Sequence, residues 1–124
     1  MRATNISVRR ATIADVNQLA PLLDGYRQFY RQPSDIPGAR SFLTERISRQ
    51  QSVVFIAHAS PRNLGTALSE PAGIAQLYPT YSTVSLGERW ILNDLFVAPA
   101  FRRMGIARTL TEFCMEHCRE TKAG

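Results

Sequence analysis

Between residues 53 and 97 three strand-like runs follow one another with no helical pattern between them: Val53–Ala59 (VVFIAHA), Ala72–Tyr81 (AGIAQLYPTY) and Trp90–Val97 (WILNDLFV). Neighbouring parallel strands need a crossover of a dozen or more residues, usually a helix. Three successive strands without one exclude an all-parallel dinucleotide-type sheet. They point to a mixed α+β sheet with helices on its faces. The first run is almost continuously apolar and fits a strand buried on both faces. Ser60–Pro71, with Pro, Asn, Gly and a second Pro, reads as a loop that is long for a hairpin connection. Ser82–Glu88 is polar around Gly87 and reads as a turn. Pro79 marks the end of the second strand, an edge or a bulge.

Helical patterns flank this region. Residues 6–11 (ISVRRA) alternate and read as a short first strand. Thr12 with Asp15 three residues on is an N-cap signature close to a capping box. Ile13, Val16, Leu19, Ala20 and Leu23 then recur at helical spacing, and Pro21 is expected to interrupt or kink that helix. Gln32–Gly38 is a breaker cluster, and a second helix starts near Asp35 with Ala39, Phe42, Leu43 and Ile47 on its apolar face. A third is predicted from about Met104 to Thr121, with Ile106, Leu110, Phe113, Cys114 and His117 on one stripe. The predicted order is β-α-α-β-β-β-α, in one domain spanning residues 1–124.

Apolar residues make up 44% and charged residues 20% of the 124, an ordinary globular composition. No apolar run approaches the ~18 residues of a membrane span. MRATNISVRR lacks the apolar core of a secretory signal. Two cysteines fit a reducing cytoplasm better than a disulfide scaffold. Fourteen Arg and one Lys against ten acids leave a net charge of +5. The Arg are spread along the chain, with local groups at Arg9-Arg10, Arg27/Arg31 and Arg102-Arg103. A nucleic-acid binder collects its base in one stripe, so a solvated surface or a compact anionic ligand explains the charge better.

The segment that carries chemistry runs from Trp90 to Leu110. A strand leads through Pro99-Ala100-Phe101-Arg102-Arg103-Met104-Gly105-Ile106-Ala107 into the last helix. A helix start presents unpartnered N–H groups and the positive end of its dipole, which suits phosphate. Gly105 removes a Cβ, Ala107 keeps the next position small, and Arg102 and Arg103 add charge at the rim. A pyrophosphate is the natural occupant.

This Arg-x-x-Gly-x-Ala pattern, carried by Arg102, Gly105 and Ala107, resembles the acetyl-CoA-binding motif of the GCN5-related N-acetyltransferases (GNAT). Val97-Ala98-Pro99 before it and the aromatic Phe101 add to the likeness. Gln76-Leu77-Tyr78-Pro79 with Trp90–Val97 resembles the bacterial Hpa2-type branch. The resemblance extends over essentially the whole chain. It implies transfer of an acetyl group from acetyl-CoA to a primary amine of a small molecule or protein, by direct attack. It places the pantetheine arm on strand backbone at Leu95, Phe96 and Val97, and the pyrophosphate on the amides of Arg102, Arg103, Met104, Gly105, Ile106 and Ala107. Some polyamine-type members of the family carry a carboxylate where this chain has Asn93. Asn cannot act as a base near neutral pH, so Asn93 would orient a water or the substrate, and Asp94 is the nearest carboxylate. By strand alternation Ile91, Asn93, Leu95 and Val97 share one face, and Leu92, Asp94 and Phe96 the other. Tyr26, Tyr30 and Tyr78 are candidates for an acceptor pocket.

Other constellations carry less. Cys114, His117 and Cys118 lie on one helix without a second ligand pair and read as core or half-exposed groups. His58 has no Ser or Cys partner for a triad. Two rival readings use the same residues: a non-catalytic CoA-binding or interaction module of the same fold, and a basic phosphate or nucleic-acid binder without CoA. Family members continue past the motif helix with a further strand, a helix and two strands. The chain thus reads as the front two-thirds of that fold, truncated before the tyrosine that commonly protonates the departing thiolate. The edge of the strand at 90–97 would then be open, and a homodimer is expected.

Overall fold

The computed structural model describes residues 5–60 and 69–121. Its elements are β1 (Ile6–Arg10), α1 (Val16–Phe29), α2 (Ile36–Ser48), β2 (Val53–Ala59), β3 (Glu70–Ser82), β4 (Gly87–Val97) and α3 (Ile106–Glu120). Short 3-10 turns at Ile13–Asp15 and Pro99–Phe101 lead into α1 and towards α3. This is the expected order. The strands lie in the order β1-β2-β3-β4, and all three pairings are antiparallel. The described sheet is therefore antiparallel where the sequence reading has it mixed. The reason is local: β2, β3 and β4 follow one another directly, and the α1–α2 pair returns the chain beside β1.

The sheet has a core on each face. On one, α1 and α2 place Leu19, Leu22, Leu23 and Leu43 on Val54, Ile56 and Ile74. On the other, Ile106, Leu110 and Cys114 of α3 meet Val53, Phe55, Ala57, Ala75 and Leu77. Central β2 feeds both, which is why VVFIAHA is apolar at almost every position.

The capping signals form as the residues require. The Thr12 hydroxyl accepts from Ala14 N–H (3.2 Å), and Asp15 Oδ2 accepts from Thr12 N–H (2.8 Å). Asp15 also takes both arms of Arg9 at 2.8 and 2.6 Å, tying β1 to this turn. The hydrogen bonds from Arg9 hold its carboxyl down to about 2. Pro21 does not break the helix, which runs on to Phe29. It lies past the first turn of α1, so it forfeits the bond to Asn17 O, and the helix continues around that one gap. Buried Asp24 accepts from Asp35 N–H (2.6 Å), Ser34 (2.7 Å) and Gln28 (2.8 Å), fastening the end of α1 to the start of α2. Asp35 then caps α2 through Gly38 N–H at 2.9 Å.

The strand ends differ from expectation. Residues 61–68 of the expected loop lie outside the described residues. β3 begins at Glu70 and runs through Pro79 to Ser82, and β4 begins at Gly87. β2 ends opposite Leu77, so at Pro79 β3 has a strand on one side only, where proline is tolerated. The helix α3 starts at Ile106, two residues late, because Arg103 and Gly105 both take positive φ (66° and 83°).

One irregularity shapes the site. Gln76 pairs with Asp94 but Leu77 pairs with Leu92, so Asn93 is an extra residue, a β-bulge. This overturns the simple alternation drawn for β4. Leu95 opposes Ala75 and Leu92 opposes Leu77, both on the α3 side, so Leu92 does not share a face with Asp94.

Candidate active site

The cleft is built where β4 runs out. Ala98 N–H donates to Ala72 O at 2.8 Å. By the alternation of an antiparallel ladder, Phe96 likewise turns its N–H and C=O to β3, and Leu95 and Val97 turn theirs away. β4 is an edge of the described sheet, so these groups face no strand. Two outward carbonyls are already engaged. Arg102 Nε donates to Val97 O (2.9 Å) and the Tyr26 hydroxyl donates to Asn93 O (3.1 Å). Leu95 lies between them.

Arg103 and Gly105 in left-handed backbone then swing the chain into α3. A Cβ built on Gly105 would meet nothing within 4 Å, so the glycine serves φ and opens space rather than relieving a clash. No side chain caps α3. Its first bond runs from Thr109 N–H to Gly105 O (3.1 Å). The N–H groups of Ile106, Ala107 and Arg108 thus have no partner within the helix. The start of α3 also lies close on β3, since a Cβ at Gly73 would come within 3.2 Å of both Leu110 and Ile106.

A cavity of about 520 Å³ joins these parts, lined by Leu95, Phe96, Val97, Arg102, Arg103, Gly105, Ile106 and Ala107. Eight of the nine expected cofactor positions are therefore brought together. The Met104 side chain packs instead against the α3-side core. Phe29 and Arg108, not singled out from sequence, line the same cavity. Arg102 lies over the Phe96 ring, 5.4 Å from its centroid.

A second cavity of about 320 Å³ lies between α1, α2 and the bulge, lined by Tyr26, Phe42, Tyr78, Asp35 and Asp94 among others. Tyr26 lines both cavities. Tyr30 lines only the first, packing its ring 5.1 Å from that of Tyr26. Asp94 is 4% exposed. Its Oδ1 accepts from Asn93 Nδ2 at 2.9 Å and its Oδ2 from Gln76 Nε2 at 2.5 Å. Asn93 thus reaches its own neighbour, a contact the bulge creates. Burial, with the Asp94 charge second, pushes both Tyr26 and Tyr78 up to about 12. Both hydroxyls remain protonated donors at neutral pH.

The remaining candidates lie elsewhere. Cys114 is buried in the α3 core, and burial raises its thiol to about 11. His58 pairs with Gln18 Oε1 at 2.8 Å. Arg27, by contrast, lines the second cavity, and its Nη1 donates to Pro33 O at 3.1 Å. Asp35, which lines the second cavity, and Gln76, which lies behind Asp94, were not candidates from sequence. A periodicity argument treats a Gln within an apolar strand as filler, and only the register with Asp94 marks it. No helix among the described residues is long and apolar enough to cross a membrane.

Comparisons with known proteins agree with this geometry. A protein of Bacillus subtilis (strain 168), YhfO, named an uncharacterized N-acetyltransferase, is 38% identical over 118 residues, covering 95% of this chain and 74% of its own. The thialysine N-epsilon-acetyltransferase of Caenorhabditis elegans is 29% identical, covering 94% of this chain and 67% of its own. A crystal structure of a probable acetyltransferase superposes with a TM-score of 0.80 at 35% identity, covering 94% of this chain and 74% of the other. The model of the acetyltransferase (GNAT) family matches residues 19–124. Motif, fold and relatives converge: this chain belongs to the GNAT acetyltransferase family.

Proposed function

We propose that the protein transfers an acetyl group from acetyl-CoA to a primary amine by direct attack. The observation that carries this reading is the meeting of two cavities at Tyr26: one with free backbone donors for an anion, the other with a buried carboxylate for a cation. The residues fit the cosubstrate. Uncapped amides at Ile106–Arg108 and the rim arginines Arg102 and Arg103 suit a pyrophosphate. The outward N–H and C=O of Leu95 and the outward N–H of Val97 suit an amide-bearing pantetheine arm, as strand addition does. Acetyl-CoA, when bound, supplies an acetyl group already activated as a thioester.

The chain's own groups do the rest. Asp94 draws the ammonium form of the acceptor into the smaller cavity and accepts its proton, with Asn93 holding Oδ1 in place. Tyr26 and Tyr78 line that cavity as neutral hydroxyls, and Tyr30 lines the cosubstrate side. Positioning the two reactants is the main catalytic contribution. The thialysine acetyltransferase among the relatives supports a small cationic amine as acceptor. The unpaired Cys114 and Cys118 agree with a reducing cytoplasm. The open edge of β4 supports self-association through a second copy, which light scattering across a concentration series would reveal as a dimer.

The test is release of free CoA thiol in a panel of n-butylamine, cadaverine, L-thialysine and a lysine-containing peptide. Turnover with at least one amine, lost in Asp94→Asn, is expected. Binding of acetyl-CoA with no turnover in the panel would instead favour a non-catalytic CoA-binding module of the same fold.

A further inference from the structure

We infer that Gln76 is a positioning residue for this transfer, the donor that fixes the Asp94 carboxylate from within the sheet. The inference rests on the reading of Asp94 given above.

Gln76 sits on β3 with no exposed surface, beside the apolar Ile74 and Ala75. Its Oε1 is buried and meets no protein donor among the described residues. A buried amide with one end unsatisfied costs stability relative to an apolar residue of the same shape. Met or Leu here would remove that unsatisfied oxygen but would leave the buried Asp94 carboxylate one donor short. What the amide provides instead is one contact, Nε2 to Asp94 Oδ2 at 2.5 Å. Its orientation follows from chemistry, because only the NH₂ end can donate to a carboxylate.

The sheet register makes the contact obligatory. Gln76 and Asp94 are direct cross-strand partners and the last pair before the bulge. The side chains of such a pair stand side by side on one face. Among the described residues, the side-chain amides that donate to Asp94, Gln76 and Asn93, are both neutral. They fix the carboxylate without neutralising it, so its charge is kept for a cation entering the cavity that Asp94 lines. Gln76 touches neither cavity. It acts through Asp94, and its effect belongs to the step in which the amine is oriented.

The experiment is steady-state kinetics with acetyl-CoA and the best acceptor of the panel, for wild type, Gln76→Met, Gln76→Leu, Asp94→Asn and Gln76→Met with Asp94→Asn. Thermal melts accompany each variant. A hydrogen bond to a charged group is strong enough that its loss should lower kcat roughly tenfold or more. The KM for acetyl-CoA should stay within about twofold, and each Gln76 variant should still melt cooperatively, a few degrees below wild type at most, since Asp94 keeps the Asn93 donor. In the Asp94→Asn background, Gln76→Met should have no further effect on kcat, as expected of two groups acting as one unit. Wild-type kcat in a folded Gln76→Met or Gln76→Leu, or the same fold-loss in both backgrounds, would overturn the inference while leaving Asp94 its role. Unchanged kcat in Asp94→Asn, or no turnover by the wild type, would overturn both.

Discussion

Replacing Gly105 separates backbone strain from occupancy of the cleft. A Cβ there meets no atom within 4 Å, so alanine adds no clash with the protein. What remains is the left-handed φ of 83°, which costs an L-residue about 1–2 kcal/mol. For a chain of this size each kcal/mol lowers the melting temperature by roughly 3–6 °C. Gly105→Ala should therefore melt a few degrees early, and Gly105→Val earlier still, since β-branched residues resist positive φ. Asn enters left-handed backbone more readily, so Gly105→Asn should recover most of the stability. It should not recover affinity, because its side chain lies in the cavity that Gly105 lines. The assays are a thermal melt and calorimetric titration of acetyl-CoA on the same samples. Wild-type affinity in a folded Gly105→Val would refute the placement of the pyrophosphate at this helix start. A loss of stability as large as a core truncation would refute the open space around the glycine.

Four further outcomes follow from the packing and the charges. The hydrogen bonds from Arg9 hold the carboxyl of Asp15 at about 2 in the fold, below its ordinary value of 3.8. A lowered folded value means the Arg9 bond stabilises above about pH 4 and is lost as pH falls towards 2. Arg9 is half exposed, so water screens the pair to about 1 kcal/mol. The gap in urea midpoint between wild type and Arg9→Ala should shrink from about pH 5 to about pH 2.5, and a constant gap would contradict the pairing. Leu110 is fully buried between α3 and the sheet, so Leu110→Ala should cost about 2–5 kcal/mol in denaturant unfolding. Cys114, buried and raised to about 11, should react with an aromatic disulfide only on unfolding, whereas half-exposed Cys118 reacts in the native state. Tyr26→Phe removes the bond to Asn93 O and should raise the KM for the amine several-fold, with little change in that for acetyl-CoA.

Periodicity made the element order legible, because the helices show apolar stripes, β2 is a strand-length apolar run, and β2, β3 and β4 follow one another directly. The cosubstrate side was legible too, since a Gly at a helix start and the arginines before it lie next to one another in sequence. The amine side was less so. Asn93 and Asp94 were candidates, but strict alternation put Leu92 on the face of Asp94, and a bulge has no signature in a single strand. Gln76 and Asp94 lie on different strands, and only register unites them. Pro79 does lie at an edge, past the last residue paired with β2, although β3 runs on to Ser82, whereas Pro21 does not interrupt its helix. The penalty of a proline depends on which hydrogen bond its position would have made, and that is a property of the fold.

The central claim is that the turn from β4 into α3 is a cosubstrate cradle. Calorimetric titration of acetyl-CoA into the whole chain, with adenosine as the phosphate-less comparison, tests it most directly. The account predicts saturable one-site binding of acetyl-CoA that weakens with salt and weakens at least tenfold in Gly105→Val. No heat from acetyl-CoA at high micromolar concentration, or equal binding of adenosine alone, would contradict it.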